Sequence, residues 1–148
     1  MAAQLSRTQQ LEIRLALEDL NAAFAEHLDL NRIDALVDLF TADALYTNGP
    51  RESHGRAEIE QLFQKRQDLG PRTSRHICSG LRIEIVSERE ATGRSVCLSF
   101  AADGLPPLPA TPFLVGDFVD RYWRDDDGRW RFAERHIRRV FVNEEPRR

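Results

Sequence analysis

The sequence lacks the short motifs by which many enzymes are recognised. Neither GxGxxG nor GxxxxGK[ST] occurs, so no cradle for nucleotide phosphates is signalled. GxSxG is also missing, and with it the nucleophile elbow of a serine hydrolase. The four histidines, His27, His54, His76 and His136, form neither HExxH nor any short ligand cluster, which leaves a structural zinc site without support. Cysteine is scarce. Cys78 and Cys97 each lie in an apolar strand-like segment, and no CxxC pair is present. They are read as buried free thiols in a reducing compartment, with one bridge between neighbouring strands as the alternative. No segment approaches the ~20 apolar residues that span a bilayer. The first twenty residues lack the basic start and continuous apolar run of a signal peptide, so the cytoplasm is the expected setting.

No sign of charge dominates either. With 21 basic and 24 acidic residues the formal net charge is -3, which offers no long-range attraction for nucleic acid or an anionic membrane. Aromatic residues do not alternate with basic ones, as a nucleic-acid-binding sheet would require. The "RHIRR" run at 135–139 reads as a solvated or intersubunit strand face, and the terminal "EEPRR" as a ragged end. Neither nucleic acid nor a membrane is an expected partner.

What is present fits one domain, residues 1–148, with a core over about 8–142. Leu5, Leu11, Leu15 and Leu20, widened by Ile13, Leu17, Phe24 and Leu28, predict a long first helix ending near Asp29. Ile33, Leu36, Val37 and Phe40 follow at helical spacing, with Asn31 as a plausible cap. "ADALYTNG" reads as a short strand stopped at Asn48-Gly49. A third helix carries Ile59, Leu62, Phe63 and Leu69 on one side and closes at Gly70-Pro71.

From there the period changes to two. "SRHICSGLRIEIVS" and "TGRSVCLSFAA" are strands, the second with Val96, Leu98 and Phe100 on one face. The proline-rich "ADGLPPLPATP" is a loop long enough to rim a pocket. "FLVGDFVDRYWR" and "GRWRFAERHIRRVFV" are two long strands joined by a hairpin at "DDDGR", with Trp123 and Trp130 packing it. Helices followed by antiparallel strands make an α+β pattern, in which a curved sheet can wrap the long helix as a cone with an open end.

Two residues stand out for chemistry. Asp29 is a carboxylate flanked by Leu28 and Leu30; it reads as a solvent-facing residue or cap, or else as a group pointing into the cone. His76 shares strand parity with Cys78 and Gly80, opposite Leu81, Ile83 and Ile85. Either its side is the concave one, or Gly80 marks a bulge that resets the phase. It could equally be a packed histidine at the helix–sheet junction. If the two meet, the carboxylate fixes the tautomer, and the other ring nitrogen becomes a base able to exchange protons near the ordinary histidine pKa of about 6.5. Such a pair needs neither metal nor nucleotide, and no cofactor is expected. Tyr46 is a candidate proton donor, or a core aromatic with its hydroxyl at the rim. Asp117, Asp120 and Arg121 sit on a strand whose inner face is ambiguous between Phe118 and Val119, and at most one of Arg135 and His136 faces inward without a bulge.

The stretches "FAEHLDLNRIDALVDLFTADALY", "HGRAEIEQLF", "SRHICSG" and "GDFVDRYWRDDDGRWRFAERHI" together resemble the SnoaL-like group of the NTF2-like (nuclear-transport-factor-2-like) superfamily, nearest scytalone dehydratase and hexachlorocyclohexane dehydrochlorinase. The resemblance runs from about Leu11 to Val142. It implies a cystatin-like α+β barrel, a curved, mixed, mostly antiparallel sheet wrapped as a cone around a long N-terminal helix. It also implies that Asp29 and His76 match the family's aspartate and base, and that Tyr46 matches a tyrosine that polarises the substrate carbonyl through water. Leu28 stands where the dehydratase has a second tyrosine, and its second pocket histidine has no counterpart in "FLVGDFVDRYW". The expectation is a cofactor-independent lyase of dehydratase type, or an isomerase. Its substrate would be a small hydrophobic cyclic or aromatic molecule, and the protein a homodimer or homotrimer. The alternatives are a non-catalytic small subunit or assembly module of a ring-hydroxylating dioxygenase, and a ligand-binding pocket protein.

Overall fold

The computed structural model describes residues 4–143; the "EEPRR" end lies outside them. The first helix, α1, spans Arg7–Asp29 and opens on a capping box. Ser6 accepts from the Gln9 backbone N–H while the Gln9 side chain accepts from that of Ser6, satisfying two donors that a helix start leaves open. Its buried stripe is Ile13, Leu17, Leu20 and Phe24, whereas Leu11 and Leu15 point to solvent. Of the eight residues expected in the stripe only these two fall outside it, since Leu5 and Leu28 also pack against the core. A short α2 (Ile33–Val37) follows. Its cap position is Arg32, without a side-chain hydrogen bond, and the expected cap Asn31 instead takes a left-handed φ of 55° to turn the chain. Phe40, expected to continue that helix, begins β1 (Phe40–Asn48).

A short strand absent from the sequence reading, β2 (Arg51–His54), pairs antiparallel with β1 across the Gly49 turn. Then α3 (Gly55–Asp68) buries Ile59 and Phe63 but leaves Leu69, just past its end, exposed. Four long strands complete the fold: β3 (Arg72–Ile85), β4 (Glu90–Asp103), β5 (Leu114–Arg124) and β6 (Trp130–Val142). They run as antiparallel neighbours, and β1 joins β6 in parallel, giving the order β2-β1-β6-β5-β4-β3.

This is a mixed, mostly antiparallel sheet wrapped partly around α1, but the expected barrel does not close. Closure would need β2 to pair with β3, and both stay at the edges of the sheet. Only four residues long, β2 leads straight into α3. Arg51 on one edge and Arg72, Ser74 and His76 on the other all line the same cavity. The gap is where the site lies.

Two irregularities set which side chains reach the concave side. Between Ser79 and Arg82 of β3 the register shifts, with Gly80 at φ 69°, so that Gly80 and Leu81 oppose the single residue Ser95. His76 and Cys78 upstream of this bulge therefore share the inner face with Ile83 and Ile85 downstream, despite opposite parity. On β4 the buried residues are Ala91, Gly93, Ser95, Cys97 and Ser99. Val96, Leu98 and Phe100 do share a face, but it is the outer one, where Ile77, Leu98, Val115 and Phe141 form a row across four strands.

Cys78 sits directly opposite Cys97, and the two are joined as a disulfide. This corrects the free-thiol reading and removes that ground for a reducing compartment. Among the described residues, no helix is long and apolar enough to cross a membrane.

The "RHIRR" run is also not a plain surface face. Arg135 is fully buried and paired with buried Asp120 through two bonds of 2.8 and 2.9 Å. Asn21 and Tyr122 complete the network, and the rings of Phe24, Phe118 and Phe132 lie 4.2–4.4 Å from the guanidinium carbon. A charge this deep is tolerated because every polar neighbour is used. Phe118 thus faces inward. Asp117 and Arg121 face outward, each near an opposite charge, and His136 meets Thr47 on the outer side.

Candidate active site

At the end of α1, Asp29 reaches across to β3. Its Oδ1 accepts from His76 Nδ1 at 2.6 Å and from the Ser74 hydroxyl at 2.9 Å, and its Oδ2 accepts from the His76 backbone N–H at 2.9 Å. Side-chain exposure is only 9% for Asp29 and 17% for His76. Burial by itself would raise the Asp29 carboxyl. The hydrogen bonds from the His76 side chain and backbone, its charge, and the Ser74 hydroxyl outweigh that, and the pKa lies below the usual carboxylate value. Asp29 is an anion at neutral pH. Since a carboxylate only accepts, the ring proton sits on Nδ1 and Nε2 is left for a ligand.

His76 forms part of the wall of a cavity of about 510 Å³ between α1, α3 and the concave face of the sheet. Leu28, Ile33, Leu36 and Phe63 supply apolar wall, and Leu105 and Phe113 from the proline loop form part of its rim. A volume of this size suits a small molecule. Tyr46 also lines the cavity and is 2% exposed. Burial pushes its phenol upward, against the opposing pull of Arg66, Arg135 and an Asn48 hydrogen bond, so it keeps its proton and can donate. The three residues singled out in the sequence are thus brought to one region, with Asp29 behind His76 rather than in the wall itself.

The profile of the SnoaL-like domain family matches residues 9–136. This chain belongs to that family. Its fold is shared with a candidate scytalone dehydratase from Novosphingobium aromaticivorans, at 25% identity over 97% of this chain and 94% of the other, TM-score 0.84. It is likewise similar to a hexachlorocyclohexane dehydrochlorinase from Novosphingobium barchaimii, at 22% identity over 93% of each chain, TM-score 0.76. A protein of unknown function from Mycobacterium tuberculosis matches at 21% identity over 95% of this chain and 79% of that one, TM-score 0.78. No curated protein matches the sequence. The family resemblance thus extends to lyases and dehydratases of small molecules, and this SnoaL-like chain carries a buried His–Asp pair.

Several cavity residues had no sequence signal. Arg51, Arg66, Arg72 and Arg139 line it from four different elements, and only their meeting in space makes them a group. His27 also lines it, and its Nδ1 is buried without a hydrogen-bond partner among the described residues. No three His, Cys, Asp or Glu side chains among the described residues gather as metal ligands.

Proposed function

We propose that this protein is a cofactor-independent lyase or isomerase that removes a proton from carbon in a small cyclic or aromatic ligand. His76 is the base and Asp29 the residue that orients it. The observation carrying this reading is the Asp29–His76 pairing, with the Nδ1 proton held by a carboxylate and the ring set in the wall of a cavity. Nε2 takes the proton, the imidazolium is stabilised by the Asp29 charge, and the C–H electron pair becomes part of a new double bond. In an elimination the leaving group departs with its own electron pair, and when it is hydroxide the imidazolium returns its proton to form water. In an isomerisation the proton returns at a different carbon. Tyr46 donates to an oxyanion that develops on the ligand, a contribution of several kcal/mol in a dry site.

The expected homodimer or homotrimer is part of this proposal. It draws support from the apolar row on the outer sheet face, where Ile77 and Phe141 are exposed.

The test does not require the natural substrate. In D2O, wild-type protein should accelerate exchange of the α-protons of 2-tetralone, a cyclic carbon acid, as followed by proton NMR. His76→Asn should reduce the rate to background with its melting temperature unchanged. Undiminished exchange in His76→Asn would end the assignment.

A further inference from the structure

Among the described residues the cavity is lined by four arginines and by no aspartate or glutamate. Eight of the described arginines sit against carboxylates, among them Arg72 against Asp103 and Arg131 against Asp125 and Asp127. Arg66 does not. It lies in the last turn of α3, half-buried, and its neighbours are the Phe63 ring at 5.4 Å, the Tyr46 phenol, and two further cations, Arg51 and Arg72. Burial and the adjacent like charges hold its pKa below the ordinary guanidinium value. A basic residue in a helix's last turn is ordinary on an exposed surface, where it offsets the helix dipole. Here the side chain lines the cavity over the Phe63 ring, with no carboxylate against it among the described residues. An arrangement that costs this much when empty gains when an anion enters.

We propose, building on the base-catalysed reading of the cavity, that its ligand is anionic: a ring system bearing one oxyanion group. Arg66 makes the direct ion pair, at the end of the cavity lined by Phe63. A planar guanidinium suits a carboxylate by two parallel hydrogen bonds and suits a phosphate nearly as well, so the oxyanion is the shared chemistry. The apolar wall around Leu36, Phe63 and Phe113 takes the ring. The consequence for selectivity is that the cavity reads charge at one end and shape at the other.

Three matched probes test it: 2-naphthoate, 2-naphthyl phosphate and the neutral 2-naphthamide, titrated calorimetrically into the intact protein. We expect one or both anions to bind at least about tenfold more tightly than the amide, the effect of one charge-assisted contact. Raising the salt should reduce that advantage. Whichever anion is preferred identifies the oxyanion. Arg66→Gln should abolish the advantage while leaving amide affinity unchanged, and Arg66→Lys should restore part of it. Equal or tighter binding of the amide overturns the proposal, as does an advantage that survives in Arg66→Gln. Failure of all three probes to bind at millimolar concentration overturns it too. Binding is read without turnover and the tetralone exchange uses a neutral probe, so failure of one test leaves the other standing.

Discussion

Replacing Asp29 by asparagine removes one charge and almost no volume, which makes it a sharp probe of the pairing. Three donors converge on this carboxylate, two on Oδ1 and one on Oδ2. An amide accepts on one atom only. With its oxygen toward Ser74 and His76 Nδ1, its NH2 faces the His76 backbone N–H; flipped, it faces the other two donors. At least one bond is lost and the rest lose their charge assistance. Hydrogen bonds to charged groups contribute about 1.5–3 kcal/mol each and are not additive, so we expect Asp29→Asn to cost roughly 2–4 kcal/mol in urea unfolding at pH 7.

The pH dependence has a definite sign. Because Asp29 is depressed on folding, its contribution is complete above the unfolded carboxylate pKa of about 3.9 and disappears as pH falls through the folded value. The gap attributable to this carboxylate should therefore close in acid. Nitrogen NMR of the His76 ring supplies an independent readout: Nδ1–H in the wild type, and an Nε2–H population in the variant. A stability loss under about 0.5 kcal/mol with the ring proton still on Nδ1 would refute the reasoning.

Two further expectations concern the buried network under the cavity. Arg135→Met leaves Asp120 buried without its cation and should cost about 3–5 kcal/mol in urea unfolding, while Arg135→Met with Asp120→Leu should recover most of it; a single-variant loss under about 1 kcal/mol would contradict the pairing. At Gly93 an added Cβ would lie 2.6 Å from the Tyr122 hydroxyl, which is held by Asn21 and Asp120. Gly93→Ala should therefore lower stability by about 1–3 kcal/mol in thermal denaturation, and Tyr122→Phe in the same chain should relieve part of the loss.

Helices were legible in the sequence because their apolar spacing is local, and Asp29 was legible because a helix ended on it. His76 was legible only as one of two options, since period-two alternation cannot locate an extra residue in a strand. Arg135 was hidden for a related reason. An arginine run normally faces water, and only the register of β5 against β6 sets Asp120 beside it. The cysteines look like isolated thiols until β3 and β4 are aligned and Cys78 is seen opposite Cys97. Barrel closure failed as an expectation because edge pairing depends on strand length, and β2 has four residues. The cavity's cations come from β2, α3, β3 and β6, a grouping that no linear pattern announces.

The extra residue at Gly80–Leu81 makes the length of β3 as consequential as its composition. A chain that dropped one residue there would keep nearly every side chain yet present either the imidazole or Ile83 and Ile85 to water. Alignments and designed libraries across this segment should therefore conserve the number of positions before any single identity.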